Sequence, residues 1–230
     1  MTTPSAVPGQ IDPALVLRID GSRPLTAELV AELDALCARV EDTAEPGVAV
    51  LRLSGAPDTQ WTQDLAVPLV NKWERALRRL ERLDIATLAV ATGDCGGTAL
   101  EALLAADYRI AGPGLRLLLP AGPDGAWPGM ALYRLANQIG VGVTRRIVLR
   151  GLPVPAPQAL ELQLVDEVAV DPEAALAQAA AQMGAVPGGG MAMRRQLMLD
   201  ATTTSFEDAL GSHLAACDRV LRREPAGAAS

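Results

Sequence analysis

The stretch from Ile85 to Ala111, IATLAVATGDCGGTALEALLAADYRIA, constrains the fold of this chain more than any other. It opens with an apolar run, 85–91, of the kind typical of a strand buried on both faces. Glycines at 93, 96 and 97 break the run, and leucines recur at helical spacing from Thr98 onward. A second apolar segment, 108–111, then returns to the sheet. The pattern predicts strand, glycine turn, helix and strand, with free backbone N–H groups at the start of the helix.

Glu101 lies one turn inside that helix, and two interpretations of it are open. Thr98-Ala99-Leu100-Glu101 matches the capping box, in which hydroxyl and carboxylate each accept a bond from a backbone N–H of the first turn. Alternatively, Glu101 is an acid/base group beside the N–H groups of Gly97 and Thr98, which would serve as an oxyanion hole. Local sequence does not decide between a cap and a catalyst.

Strands and helices alternate through the first two-thirds of the chain, which predicts an α/β core with largely parallel pairing. After Pro172 the pattern is helical only. We expect a flexible tail over 1–12, the α/β core over 13–170, a helical region over 171–223 and a second tail over 224–230. Strands are predicted at 15–19, 48–53, 85–91, 108–111, 115–119 and 164–168, and helices at 27–40, 65–82, 98 onward, 130–138, 143–149, 157–162, 173–183, 191–199 and 205–222.

Composition excludes several functional classes. The net charge of −7 argues against binding to nucleic acid or to an anionic membrane surface, and 3% aromatic residues leave little to stack on bases. No segment approaches the roughly 20 apolar residues of a transmembrane helix. Cys37, Cys95, Cys217 and the single His213 form no metal or redox motif, and Cys37 and Cys217 fall on apolar faces of predicted helices. We expect a cytoplasmic protein without a metal, with Cys37 and Cys217 in the core.

From about Leu15 to Arg222 the chain resembles the crotonase (enoyl-CoA hydratase/isomerase) superfamily. The most specific stretch is 93–111, with its glycine turn, its glutamate and the segment Asp107-Tyr108-Arg109-Ile110-Ala111. The resemblance implies a spiral of ββα turns with a C-terminal helical region that often makes trimers. It also implies an acyl-CoA thioester as substrate rather than cofactor, and an enolate stabilised by two backbone N–H groups. Further matches are Pro128-Gly129, Arg134-Leu135, Ile139-Gly140, Leu149-Arg150-Gly151 and 164–168.

Carried over by position, this resemblance implies an oxyanion hole and a first acid/base. The N–H of Thr98, where the family has glycine, is one donor, with Gly97 beside it at the substrate. The other donor falls near Trp61, in a segment without the usual alanine-glycine pair. Glu101 stands at the position of the first catalytic glutamate of the hydratases.

The second glutamate of the hydratases maps onto Ala121, the residue after Pro120, and both are implied to contact the substrate. This is the largest departure from the family, because a hydratase needs one group for water and one for the α-carbon proton. The nearest substitutes are Asp124 in the same loop and Asp94 in the glycine turn.

A narrower resemblance is to the small hydratase-like components of 3,5-dihydroxyphenylacetyl-CoA (dihydroxyphenylglycine) biosynthesis, on residues 61–79, 93–98 and 205–219. It implies an acyl-CoA hydro-lyase that assists dehydration and aromatisation of a polyketide-derived thioester, with a type III polyketide synthase as partner. The alternative is a catalytically degenerate crotonase that acts as an accessory binding subunit of that synthase. In both cases the apolar stripe of the last helix favours a homo-oligomer, trimeric or hexameric.

Overall fold

Five parallel strands organise the molecule in the computed structural model, which describes residues 11–42, 47–119, 121–122, 125–184 and 190–223. The strands are β1 Val16–Asp20, β2 Val48–Gly55, β3 Ala86–Gly96, β4 Tyr108–Ala111, β5 Arg116–Leu118, β6 Ala121–Gly122, β7 Gly125–Ala126, β8 Val154–Pro155 and β9 Glu167–Val168. The helices are α1 Ala27–Asp42, α2 Val67–Leu80, α3 Gly97–Ala105, α4 Met130–Arg150, α5 Ala156–Glu161, α6 Pro172–Gly184, α7 Met191–Asp200 and α8 Phe206–Arg223.

The sheet has the order β1-β2-β3-β4-β9, and every pair along this path is parallel. Strand β3 is long enough to serve two partners on the same side. Its first half pairs with β4, and its last three residues, from Asp94, pair with β5, which pairs antiparallel with β8. The predicted α/β class with parallel pairing and helices is confirmed.

Both faces of the central strands are buried, as the apolar run at 85–91 predicts. Alternate residues of β2 and β3, such as Leu51 and Ala89, pack beneath α1, α2 and α3. Their neighbours, such as Val50 and Leu88, pack beneath α6, where Leu176 is fully buried. The period of two along each strand divides the apolar side chains between two cores.

Several predicted boundaries are wrong in an informative way. The prediction that glycine ends β3 at Gly93 fails because the strand gains β5 as a new partner and continues to Gly96. The predicted loop at 120–125 contains the short pair β6 and β7, and β8 was not predicted at all. Helices 130–138 and 143–149 are joined in α4, although Gly140 inside it has non-helical dihedral angles.

The C-terminal helices divide into packed and exposed elements. Helices α6 and α7 pack against the α/β core, and Arg195 of α7 is buried there against Asp107. Helix α8 exposes its apolar residues in the single chain, with Phe206 75% exposed. The prediction of a core position for Cys217 is therefore wrong, whereas Cys37 is fully buried. Residues 1–10 of the predicted N-terminal tail and all of the C-terminal tail lie outside the described residues.

Candidate active site

The turn between β3 and α3 brings backbone donors to the surface of the core. Gly96 precedes the helix without a side-chain cap, so the first-turn N–H groups of Gly97 and Thr98 have no carbonyl partner within the helix. Gly97 has a φ of +52°, and a Cβ there would lie 3.1 Å from Pro57 and 3.2 Å from the carbonyl oxygen of Gly21. Both the left-handed conformation and the close approach require glycine at this position.

The structure decides against the capping box. Thr98 is only 4% exposed, and its Oγ1 has no hydrogen-bond partner, so the hydroxyl caps no N–H. Glu101 does not reach back to the helix start either. Its Oε2 accepts a hydrogen bond of 2.7 Å from Nε1 of Trp73 on α2.

Glu101 and Trp73 form a buried pair between α3 and α2. Trp73 is fully buried and Glu101 is 7% exposed. Trp73 belongs to the apolar face of α2, with Ala76, Leu77 and Leu80, which inserts the indole into the core. A buried carboxyl held by a single neutral donor is an unusual arrangement, since buried charges are generally paired with an opposite charge.

The other oxygen of Glu101 faces the segment before α4. An ideal Cβ on Gly129 would stand 3.3 Å from Oε1 of Glu101 and 2.5 Å from Nε1 of Trp127. Oε1 of Glu101 and Nε1 of Trp127 are therefore no further apart than the sum of these two distances from the Cβ position. Trp127 in turn packs edge-to-face on Trp61, with ring centroids 5.2 Å apart and an interplanar angle of 70°. Trp73 therefore contacts Glu101 directly, Trp127 lies near its other oxygen, and Trp61 packs on Trp127.

The surroundings of Glu101 favour its neutral form. The pKa of its carboxyl is raised to about 7, chiefly by burial and to a smaller extent by repulsion from Glu74 on α2. The Trp73 hydrogen bond and the charge of Arg134 on α4 act in the opposite direction and lower this pKa. A carboxyl with a pKa near 7 can both take up and release a proton at neutral pH.

A second carboxyl, half-buried, belongs to Glu74, which follows Trp73 on α2. Oε2 of Glu74 accepts a 2.8 Å bond from Nη1 of Arg134, whose Nε donates to Glu81 at 2.9 Å. Oε1 of Glu74 is buried without a hydrogen-bond partner, and burial raises the pKa of this carboxyl. Glu74 and Arg134 line a cavity of about 360 Å³ that also reaches Tyr133 on α4 and Leu199 at the end of α7.

The other predicted site residues are placed as follows. Trp61 lies in the turn before α2 and lines a cleft of about 420 Å³ with Leu25 and Gln63. Asp94 is partly exposed, and both of its carboxylate oxygens accept bonds from Arg116 across the β3–β5 pair, at 2.6 and 2.7 Å. Ala121 lies in β6, opposite Ala126 of β7. Pro120 and Asp124 lie outside the described residues.

The surroundings of Cys95 argue against a role for its thiol as a nucleophile. The residue is fully buried in β3, and this burial raises the pKa of its thiol to about 12. A thiol that is inaccessible and protonated at neutral pH is a poor nucleophile. Among the described residues no group of three or more histidine, cysteine, aspartate or glutamate side chains could hold a metal ion, and no helix has the length and hydropathy needed to cross a membrane.

Sequence reasoning missed Trp73, Trp127 and Glu74 as neighbours of Glu101. Trp73 carries the spacing of a core residue, and nothing local links it to a glutamate 28 positions later. A signal was present in the composition, because the chain has only three tryptophans, two tyrosines and one phenylalanine. Because the N–H of a buried tryptophan usually has a hydrogen-bond partner, each of these few indoles could have been searched for a polar neighbour.

The model of the family described as enoyl-CoA hydratase/isomerase matches residues 62–223 of this chain. A curated relative from Amycolatopsis orientalis, named enoyl-CoA-hydratase, is 53% identical over 210 residues. The matched region covers 91% of this chain and 97% of that relative. Similarity at this level extends across both the α/β core and the C-terminal helices.

Solved structures support the same fold at lower identity. An enoyl-CoA hydratase/isomerase from Marinobacter aquaeolei superposes with a TM-score of 0.78 at 21% identity, covering 93% of this chain and 89% of that one. An enoyl-CoA hydratase from Shewanella pealeana superposes with a TM-score of 0.77 at 17% identity, covering 93% and 86%.

Proposed function

Since the chain belongs to the enoyl-CoA hydratase/isomerase family, we propose that it is a hydro-lyase that removes water from a polyketide-derived acyl-CoA thioester on the way to 3,5-dihydroxyphenylacetyl-CoA. The observation that carries the proposal is the environment of Glu101. This carboxyl is buried, has a pKa raised to about 7, and stands one turn from the uncapped N–H groups of α3. These are the two elements that an enolate mechanism needs, an acid/base and an oxyanion hole.

A single carboxyl is sufficient for this elimination. Glu101 as carboxylate takes the α-proton while the thioester oxygen, now an enolate, accepts hydrogen bonds from the N–H groups of Thr98 and of the Trp61 segment. Glu101 then returns the proton to the departing β-hydroxyl, which leaves as water, and the carboxylate is restored. A pKa near 7 suits both steps, because the same group must be a competent base and a competent acid. Conjugation and aromatisation of the product supply the driving force.

The positions of Trp127 and Trp61 favour a substrate whose acyl group is cyclic. Trp127 lies within reach of Oε1 of Glu101, and Trp61 packs against it. Indole faces and edges bind planar unsaturated rings better than they bind flexible chains, because aromatic pairs gain about 0.5–1.5 kcal/mol beyond area burial. Gly97 and the Pro120–Ala121 segment complete the proposed substrate contacts.

The test is a reconstituted reaction with a type III polyketide synthase, malonyl-CoA and this protein. We expect the wild-type chain to increase the yield of aromatic thioester. In Glu101→Gln, the additional rate of aromatic thioester formation that the protein provides should fall by about 10²–10⁴-fold. Glu32→Gln on the exposed face of α1 is the matched control and should behave as wild type. A well-folded Glu101→Gln protein with full stimulation would contradict the assignment of Glu101.

That same outcome would favour the alternative function, an accessory subunit that binds the synthase without chemistry of its own. The observation behind this alternative is Ala121, which stands where hydratases carry their second glutamate. The two functions differ in one further respect. An accessory subunit must act in a complex with the synthase, whereas a hydro-lyase should process the released β-hydroxy thioester after the synthase has been removed by filtration.

We also propose a homo-oligomer, trimeric or hexameric, and a cytoplasmic location. The support for assembly is α8, on which Phe206, Leu210, Leu214 and Leu221 are all exposed in the single chain. An apolar stripe of this size is generally covered in solution. Multi-angle light scattering at micromolar concentration should give a multiple of the chain mass, and a monomer mass would contradict the proposal.

A further inference from the structure

The hydrogen bond between Trp73 and Glu101 has a consequence for where Glu101 carries its proton. Nε1 of an indole only donates, so Oε2 of Glu101 can only accept from it. When the carboxyl is neutral, its carbonyl oxygen is a better acceptor than its hydroxyl oxygen, so the bond from Trp73 favours Oε2 as the carbonyl oxygen and Oε1 as the site of the proton. Oε1 is the oxygen that faces Gly129 and Trp127.

We propose that Trp73 is a positioning residue that fixes the Glu101 carboxyl and directs its exchangeable proton to Oε1, on the side where the substrate is handled. The inference rests on the proposed function only in naming Glu101 as the acid/base. Trp73 itself is fully buried beneath the carboxyl and reaches no open cleft, so it acts through Glu101 alone. A hydrogen-bond acceptor beside one ring nitrogen of a catalytic histidine acts in the same way, since it determines which of two atoms carries the proton.

The geometry distinguishes this role from packing. An indole that only filled the core could point its N–H at any nearby carbonyl oxygen, as buried tryptophans commonly do. Here the N–H is 2.7 Å from a carboxyl that is itself 7% exposed, and no arginine or lysine hydrogen-bonds to that carboxyl among the described residues. Loss of the donor would leave the carboxyl free to rotate and to protonate on either oxygen.

The charged groups around Trp73 and Glu101 determine whether the pKa of Glu101 should rise or fall in each variant. Helix α2 contributes Glu74 and α4 contributes Arg134, while the described parts of the strands that pack against α3 add no charged group to the environment of Glu101. The Trp73 bond stabilises the carboxylate, so its removal should raise the pKa of Glu101. Glu74 repels the carboxylate, so neutralising Glu74 should lower it.

The experiment titrates the protein with ¹³C-labelled glutamate carboxyls by NMR, in which the resonance absent from Glu101→Gln identifies Glu101. In Trp73→Phe we expect the pKa of Glu101 to rise, and in Glu74→Gln to fall. Trp61→Phe is the matched control, since it removes an indole that packs on Trp127, and it should leave this pKa in place. Replacing Trp73 by β-(3-benzothienyl)alanine removes the N–H and keeps the ring shape, which covers the case in which the phenylalanine variant does not fold.

Kinetics then test the positioning role. Because a misplaced acid/base group slows proton transfer, loss of the Trp73 bond should lower kcat by about tenfold or more. KM should change little, because Trp73 does not reach the substrate. The pH at which kcat changes should rise together with the pKa of Glu101 in the Trp73 variant.

A folded benzothienyl variant with the wild-type pKa of Glu101 would overturn the proposal. So would an equal shift in Trp61→Phe, because that would mean repacking alone moves the titration. Full activity of Glu101→Gln would refute the proposed function instead, and the NMR titration would still report whether Trp73 controls the proton on Glu101.

Discussion

The two ends of α3 hold carboxyl groups whose hydrogen bonds are satisfied to very different degrees, and of the two Glu101 is buried whereas Asp107 is partly exposed. After its C-terminus, Asp107 accepts bonds from the N–H and the hydroxyl of Thr87 and from Nε and Nη2 of Arg195. Nearer its N-terminus, Glu101 has one neutral donor, and no cation of the described part of the chain is in hydrogen-bond contact with it. One carboxyl is saturated and the other is left under-satisfied within the same family stretch, 93–111. The difference separates a carboxyl that fastens the fold from one that is available for proton transfer.

The saturated end is completed by the C-terminal helical region. Arg195 uses all five of its N–H groups, because besides Asp107 it donates to the carbonyl oxygens of Glu81, Leu83 and Ile85. Asp84 accepts bonds from the N–H groups of Gly190 and Ala192 at the start of α7. This end therefore ties α7 to the sheet. The under-satisfied end is held by apolar packing and one indole.

The largest effect is expected at the saturated end. Arg195→Met would leave the Asp107 carboxylate and three carbonyl oxygens without their donor, which typically costs about 3–5 kcal/mol. Urea denaturation should show this loss in the free energy of unfolding. Arg194→Met is the matched control, since Arg194 is the exposed neighbour on the same helix, and it should change stability by less than ~0.5 kcal/mol. Equal effects of the two variants would remove the distinction between the ends.

At Glu101 we expect a substitution to increase the free energy of unfolding rather than to lower it. Its pKa is raised in the folded protein, so the folded state holds a proton that the unfolded state has already released, and stability falls as the pH rises from about 4.5 to about 7. Above pH 7 the penalty is complete and is on the order of 3 kcal/mol. Glu101→Gln removes it, so the variant should be more stable than wild type at pH 8 and nearly equal below pH 4.5. Melting curves at both pH values measure this, and a variant less stable at pH 8 would mean that Glu101 is structural.

The elements around these two ends could be predicted from the sequence, but the chemistry of their carboxyl groups could not. The parallel core and the helix at 98 follow from apolar periodicity, because burial on both faces leaves a continuous run such as 85–91. The spacing of Thr98 and Glu101 fits a cap and a catalyst equally well. What decides between them is the indole of Trp73, brought from α2 by tertiary packing that no local pattern encodes.

The continuation of β3 past Gly93 could not be predicted for a similar reason. A glycine in a strand weakens it locally, but the pairing of Asp94 through Gly96 with β5 compensates for that loss. The partner strand lies about 20 residues further along the chain, so its contribution is invisible in a local window. Exposure of Cys217 likewise depends on where α8 lies, not on the apolar face that the sequence predicts.

A smaller effect is expected at Gly129, on the side of Oε1. The Cβ of Gly129→Ala would stand 2.5 Å from Nε1 of Trp127, so the half-buried indole must move. Overpacking of this kind typically costs about 1–3 kcal/mol, and we expect about 1 kcal/mol because Trp127 is not enclosed. Activity should fall further than stability, since the displaced ring flanks Glu101. Gly142→Ala, within the helix that Gly129 precedes and with open space around its Cβ, is the control and should retain both stability and activity.

The smallest effect is expected at Asp94, the third carboxyl of the same stretch. Its two oxygens are engaged by Arg116 at the surface, and a partly exposed ion pair is worth about 0–1 kcal/mol. Asp94→Asn should therefore change the free energy of unfolding by less than ~1 kcal/mol, with the difference shrinking at high salt. Its rate of aromatic product formation should stay within a few-fold of wild type, because both oxygens of Asp94 are occupied by the Arg116 guanidinium and, among the described residues, face no other partner in the site. A loss comparable to that of Glu101→Gln would instead make Asp94 the second acid/base that Ala121 does not provide. The stretch 93–111 would then hold one structural carboxyl, Asp107, and two catalytic ones, Glu101 and Asp94.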